Sequence, residues 1–147
     1  IKTDVANHFV DTAKKLSLKE RLALFGRNIA LQGELIGPGI QGNIYNLTEH
    51  KYRVFDIFDI DKQKYVSVGE RYEIMCKLMG EEFCKFHVPV LDPEHDLKGV
   101  TLDDLIADAS AKSVLNNNHL REGVVYKTMD GQYSFKVISV DYLLKQK

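Results

Sequence analysis

The first third of the chain has apolar positions at helical spacing. This apolar stripe predicts a first helix and consists of Val5, Phe9, Val10 and Ala13. The segment SLKE at residues 17–20 matches a capping box, which predicts a second short helix through Phe25. Gly26 is a natural end for that helix, because glycine readily adopts the left-handed conformation found there.

From residue 28 onward the pattern changes to one typical of strands. Residues 28–36 (NIALQGELI) are mostly apolar and end at a Gly-Pro-Gly turn, since proline cannot donate to a strand ladder. Residues 51–60 (KYRVFDIFDI) alternate between apolar and charged side chains. Residues 64–68 follow across a polar turn and are the expected partner strand.

The second half of the chain is predicted to continue with helices and a hairpin. A second capping box, SVGE at residues 67–70, predicts a helix to Met79 that Gly80 ends. Further predicted elements are a short strand at 86–91, a helix at 101–109, hairpin arms at 122–126 and 133–138 around an Asp-Gly turn, and a terminal helical turn at 139–145. Because hairpin-connected strands outnumber helices, the predicted class is α+β with antiparallel sheets, in one domain of residues 1–147.

Composition narrows the classes of protein to consider. A length of 147 residues with 44% hydrophobic and 28% charged residues is typical of one soluble globular domain. The net charge of −1 gives no global basic field, so any contact with nucleic acid must come from a local basic patch. No apolar run of membrane-spanning length occurs, and none of the five histidines has zinc-ligand spacing.

The cysteines and the start of the chain bear on its cellular location. The two cysteines, Cys76 and Cys84, do not suggest a disulfide framework, so a reduced cytoplasmic compartment is expected. The chain begins at Ile1 without an initiator methionine, so we expect its true N-terminus, with any targeting segment, to lie upstream.

Two segments in the first half carry side chains suited to a nucleotide. Glu34 lies in an otherwise apolar strand, which is costly unless a metal, a ribose hydroxyl or a lysine pairs with it. The alternative is an edge-strand glutamate beside a glycine-rich turn. Phe55 on the polar face of a strand could stack on a base, worth about 1–3 kcal/mol, and the alternative is a core phenylalanine.

Two further segments lie in the C-terminal hairpin. Glu122 begins a strongly β-prone strand, and Gly123 beside it allows close backbone approach by a ligand. The alternative is a turn-to-strand junction with a solvated charge. Lys136 lies between apolar neighbours, so its ammonium is expected on the opposite face, where a lysine and carboxylates would suit a triphosphate with its metal.

In this order the four segments are specific. GELIGPGIQ, VFDI, REGVVYK and SFKVIS resemble motifs III, IIIa, IV and V of the covalent nucleotidyltransferases, which include RNA ligases, DNA ligases and capping enzymes. The form GELIGPGIQGN, followed closely by VFDI, is similar to RNA-repair and editing ligases related to the second RNA ligase of T-even phages. The resemblance runs from about residue 28 to residue 145 and implies a nucleotidyltransferase (adenylation) domain.

The resemblance implies an ATP-dependent enzyme with Mg²⁺ or Mn²⁺ as cofactor. Such a ligase seals an RNA 3′-hydroxyl and a 5′-phosphate through lysyl-AMP and RNA-adenylate intermediates. Its partners would be nicked or broken RNA ends rather than a membrane, and a monomer is expected. A DNA ligase or capping guanylyltransferase is the nearest enzymatic alternative, and a non-catalytic nucleotide- or RNA-binding module of the same fold is the other.

Roles for individual residues follow from the same resemblance. Glu34 would be the motif III carboxylate, near the ribose and a metal-bound water, with Gly33 beside it in the nucleotide site. Phe55 would stack on the adenine. Glu122 would hold the divalent cation through its waters, and Lys136 would contact the α-phosphate.

The sequence departs from the family pattern in motifs V and I. Ile138 stands where many members have a second lysine, and Lys127 and Lys145 are alternative sources of that charge. The Lys-x-x-Gly of motif I should lie upstream of motif III, but residues 1–33 contain no match. KLMG at residues 77–80 fits the bare pattern but follows motif IIIa at the end of a predicted helix. We therefore expect a fragment, inactive in this form.

Overall fold

In a computed structural model, residues 7–145 are described, so Val5 of the predicted apolar stripe lies outside the described residues. The chain divides into two compact units, Ile1–Val88 and Pro89–Lys147. Between residues 7 and 145, helices and three antiparallel sheets confirm the α+β class, and the single domain stays a prediction. Among the described residues, no helix has the length and apolar character needed to cross a membrane.

Unit 1 consists of a three-stranded sheet with helices before and after it. Its elements are α1 (His8–Lys15), α2 (Leu18–Phe25), β1 (Ile29–Ile36), β2 (Lys51–Asp59), β3 (Lys64–Tyr65) and α3 (Val68–Met79). The strand order is β1-β2-β3. The helices and strands predicted between residues 8 and 79 are confirmed, although β3 contains only two residues.

The core of unit 1 lies between the sheet and α3. Val54 and Ile57 of β2 are fully buried, and they pack with Ile74, Met75 and Leu78 of α3. These three helix residues recur at the spacing that places apolar side chains on one helix face. The helix begins as predicted at Ser67, whose hydroxyl accepts a hydrogen bond from the Glu70 amide at 3.2 Å.

Two predictions for unit 1 are wrong in detail. Ser17 does precede α2, but it adopts a left-handed conformation (φ 51°) and its side chain makes no capping bond, because α1 turns into α2 there. Residues 86–91 do not form a strand: a 3₁₀ helix covers Phe83–Phe86, and only His87 bridges to Val54. Pro89 has no backbone N–H to donate to a ladder, and residues 89–91 are exposed.

In its described residues, 89–145, unit 2 contains two hairpins and two helices. Its elements are α4 (Leu102–Ala109), β4 (Lys112–Ser113), β5 (Asn116–Leu120), β6 (Gly123–Lys127), β7 (Ser134–Ile138) and α5 (Val140–Lys145). The Thr101 and Asp104 side chains form a reciprocal capping box that starts α4. The β6–β7 hairpin is confirmed, whereas the β4–β5 hairpin was not predicted, because NNNHL has little β propensity.

Candidate functional site

Glu34, the predicted motif III carboxylate, lies on β1 of unit 1. Ile29 and Leu31 face the core at alternate positions of this strand, and Glu34 falls on the opposite face. Its side chain is exposed, and its Cα pairs across the ladder with Arg53. Arg53 turns away from it, because its Nη1 donates to the carbonyls of Cys84 and His87 at 3.3 and 3.2 Å. Within the described residues, the Glu34 carboxylate forms no ion pair.

Gly33 and Gly37 lie where the surrounding structure leaves no room for a side chain. A Cβ on Gly33 would lie 2.4 Å from the Arg53 carbonyl and 2.8 Å from the Tyr52 ring. Gly37 has φ of +139°, and a Cβ there would lie 2.8 Å from the Glu49 carbonyl. The predicted turn after β1 is therefore confirmed, and the role of Gly33 in nucleotide binding stays a prediction.

Phe55 lies in a β-bulge. Gly33 pairs with Val54 and Gln32 pairs with Asp56, which leaves Phe55 as the extra residue of β2. A bulge re-aims the side chain that it contains and changes the phase of the strand beyond it. Phe55 is half-buried and, among the described residues, is not part of the hydrophobic core cluster. The alternative of a simple core phenylalanine therefore loses support.

In unit 2 the structure brings together Glu122 and Lys136, the residues predicted to be the motif IV glutamate and the motif V lysine. Lys136 Nζ donates to Glu122 Oε1 at 2.5 Å, and the two side chains are 42% and 50% exposed. Glu122 precedes β6, and its carbonyl accepts a hydrogen bond from the Ser139 amide at 2.8 Å. Sequence reasoning predicted both residues but not this contact between them.

The register between β6 and β7 shows which side chains lie on the same face of the hairpin as Lys136. Lys136 pairs with Val125, and the alternating neighbours Lys127 and Ile138 lie on the same face. Lys127 is thus on the hairpin itself, whereas Lys145, the other candidate for the missing motif V charge, lies in α5. Gly123 is approached by β7 rather than by a ligand, since its Cβ would lie 2.1 Å from the Val137 carbonyl.

Three residues missed by sequence reasoning lie behind this hairpin. Tyr126 Oη donates to Asp108 Oδ2 at 2.7 Å, and Arg121 Nη2 lies 3.7 Å from Asp108 Oδ1. Burial, and secondarily the hydrogen bond to Asp108, raise the pKa of Tyr126 to about 12. Arg121 adjoins Glu122 in motif IV and could have been noticed, but nothing in the local sequence singles out Asp108.

No cluster of three or more histidine, cysteine or acidic side chains able to hold a metal occurs between residues 7 and 145. A divalent cation on Glu34 or Glu122 would therefore need most of its ligands from water and from a bound phosphate. Mg²⁺ commonly binds in this way, through one or two carboxylates with retained waters.

Comparisons with a family profile and with solved structures both identify RNA ligases. A family profile described as RNA ligase matches residues 2–138. Comparison with curated protein sequences gives no match. The RNA ligase of Naegleria gruberi, as a lysine-to-alanine variant with ATP and Mn, superposes with a TM-score of 0.90 at 39% identity, over 99% of this chain and 42% of that chain.

Two more structures of the Naegleria ligase also match this chain. The complex with pyrophosphate has a TM-score of 0.87, and a lysine-to-methionine variant with AMP and Mn has 0.86. Both are 39% identical to this chain and cover 99% of it. The chain spans 42% of the length of that ligase.

Proposed function

Because this chain belongs to the RNA ligase family, we propose that it supplies nucleotide-binding and catalytic groups of an ATP-dependent RNA ligase. The observation that carries the proposal is the contact of Lys136 with Glu122 at 2.5 Å. When a cation and a carboxylate lie side by side, the cation can bind a phosphate while the carboxylate accepts hydrogen bonds from waters of the metal bound to that phosphate. In the Naegleria structures, a glutamate and a lysine replaced by alanine are 14 positions apart, as Glu122 and Lys136 are.

Each predicted residue has a role that its position supports. Lys136 would neutralise the α-phosphate, and Glu122 would hold a divalent cation through its waters. Phe55, held in the bulge outside the core cluster, would stack on adenine. Glu34, exposed and unpaired among the described residues, would accept a hydrogen bond from the ribose or from a metal-bound water.

The donor set suits a cation that arrives with ATP. Single exposed carboxylates cannot enclose an ion, but they can accept hydrogen bonds from waters in its coordination shell. The cation would neutralise phosphate charge during transfer. The chain's own contribution is then positioning and electrostatic stabilisation, which dominate catalysis of phosphoryl transfer.

The reaction we propose for the ligase has three transfers. A lysine attacks the α-phosphate of ATP and pyrophosphate leaves. The AMP passes to an RNA 5′-phosphate, and a 3′-hydroxyl then attacks that phosphate and releases AMP. Since residues 1–33 contain no Lys-x-x-Gly, we propose that this chain binds ATP but does not form the lysyl-AMP by itself.

Intact mass spectrometry and calorimetry test this proposal together. After incubation with ATP and Mg²⁺ the chain should show no added AMP, yet titration with Mn²⁺–ATP should show saturable binding that Lys136→Met weakens. An AMP adduct would mean that a lysine of this chain, such as Lys77, is the nucleophile. Absence of nucleotide binding, with binding of an RNA oligonucleotide, would instead support the non-catalytic module.

The choice between RNA and DNA needs a substrate comparison. A form of the ligase that contains the nucleophilic lysine should seal nicked RNA and should seal a nicked DNA duplex of the same sequence far more slowly. Equal sealing of both would contradict the assignment to RNA.

A further inference from the structure

The Glu122–Lys136 pair is too exposed to fix its own geometry. Exposed ion pairs contribute about 0–1 kcal/mol, because solvent screens the charges and both side chains lose rotamer freedom. Catalytic groups must be held to within about 0.5 Å, which requires neighbours that lock them in place. Something other than the pair itself must therefore orient the ends of β6 and β7.

Asp108, in the last turn of α4, contacts Tyr126 within β6 and Arg121, which precedes that strand. One carboxylate oxygen accepts the Tyr126 hydroxyl at 2.7 Å, and the other lies 3.7 Å from Arg121. Arg121 also donates to the carbonyl of Asp108, and its Nε donates to the Ala109 carbonyl at 3.2 Å. Its side chain is only 16% exposed. Arg121 thus binds the C-terminal end of a helix, where the dipole favours a cation.

Each of the two residues that Asp108 contacts is linked, through a neighbouring residue or directly, to one member of the Glu122–Lys136 pair. Arg121 is the residue before Glu122, so anchoring its side chain restricts the backbone that carries the carboxylate. Tyr126 pairs with Phe135 across the ladder, and their rings stack with centroids 5.0 Å apart and planes 17° apart. Phe135 is the residue before Lys136 and points to the opposite face of the hairpin.

We propose that Asp108 is a positioning residue, which fixes the Glu122–Lys136 pair from behind the hairpin through Arg121 and Tyr126. It touches neither reacting group. The expected consequence, tighter binding of a metal–nucleotide, rests on the proposed function. The network of contacts itself lies within unit 2 and does not depend on that function. Residues that orient ligand-binding groups in this way commonly change metal affinity by roughly 10–100-fold when removed.

The test compares three variants of the chain. Asp108→Ala removes both contacts, Asp108→Asn keeps an acceptor for Tyr126 without the charge, and Asp103→Ala removes an exposed acid from the same helix as a control. Calorimetric titration with Mn²⁺–ATP should show affinity reduced roughly tenfold in Asp108→Ala, less in Asp108→Asn and unchanged in the control. Thermal unfolding of each variant confirms that it is folded.

A second measurement does not depend on nucleotide binding. In chain labelled with ¹³C-tyrosine and uniformly with ¹⁵N, NMR titration should show a pKa of Tyr126 lower in Asp108→Ala than in wild type, with part of the rise caused by burial retained, and the Glu122 and Lys136 amide resonances should shift. If these changes occur but wild type does not bind Mn²⁺–ATP, the proposed function fails and the positioning network stands. If wild type binds and folded Asp108→Ala binds equally well, the inference is overturned.

Discussion

Lys136 Nζ lies 2.5 Å from Glu122 Oε1, so the cation of β7 and the carboxylate before β6 partly neutralise each other. Because both groups are about half exposed, separating them costs little. A phosphate could therefore take the lysine, and the waters of a metal could take the glutamate. The weakness of the pair suits groups that must exchange partners during a reaction.

Removal of either partner should affect ligand binding far more than folding. We expect Lys136→Ala and Glu122→Ala to change the free energy of unfolding by at most about 1 kcal/mol. In a ligase form that contains the nucleophilic lysine, each should reduce the rate of adenylylation by roughly 100-fold or more. Lys112→Ala, at an exposed position of β4, is the control. Near-normal adenylylation in either variant would remove that residue from the site.

Phe55→Ala should weaken nucleotide binding while leaving the core intact. Loss of a stacked base costs about 1–3 kcal/mol, which calorimetry with Mn²⁺–ATP would measure. Ile57→Ala, two positions away and fully buried, should instead lower the free energy of unfolding by about 2–5 kcal/mol. If Phe55→Ala destabilises the fold as much as Ile57→Ala does, the phenylalanine is a core residue.

Gly123→Ala should disrupt the β6–β7 hairpin. The added Cβ would lie 2.1 Å from the Val137 carbonyl, so the strands must separate next to Lys136. We expect a loss of roughly 1–3 kcal/mol in urea unfolding, together with weaker Mn²⁺–ATP binding. Gly69→Ala meets nothing within 4 Å in α3, and should raise stability by about 0.4–1 kcal/mol. Equal stability of both variants would contradict the packing argument.

Asp59 should make unit 1 sensitive to acid. The Lys62 amide, and then Arg27 at 2.7 Å, lower the pKa of this buried carboxyl. A carboxyl whose pKa is lower in the folded state than in the unfolded state stabilises the fold at pH values above its unfolded-state pKa. That stabilisation is lost as the pH falls through the folded-state pKa, so the loss is expected below about pH 4. Urea unfolding between about pH 5 and 3 should show a smaller loss of stability in Asp59→Asn than in wild type. Identical pH profiles would show that Asp59 makes no such contribution.

The sequence by itself determined the class of fold and a set of candidate site residues. Hydrophobic period, turn glycines and helix ends are local properties, so most helices, the three-stranded sheet and the β6–β7 hairpin could be predicted from them. The motif order also gave Glu34, Phe55, Glu122 and Lys136 as candidate site residues; the family match shows the RNA ligase family, and the roles of these four residues stay predictions.

Tertiary structure alone decided how these residues are held. The bulge that displaces Phe55 depends on the register between β1 and β2, and register is set by pairing of distant segments. The contact of Asp108 with Tyr126 joins residues 18 positions apart. No local sequence pattern predicts such a contact, because its free energy depends on which distant segments the folded chain brings together.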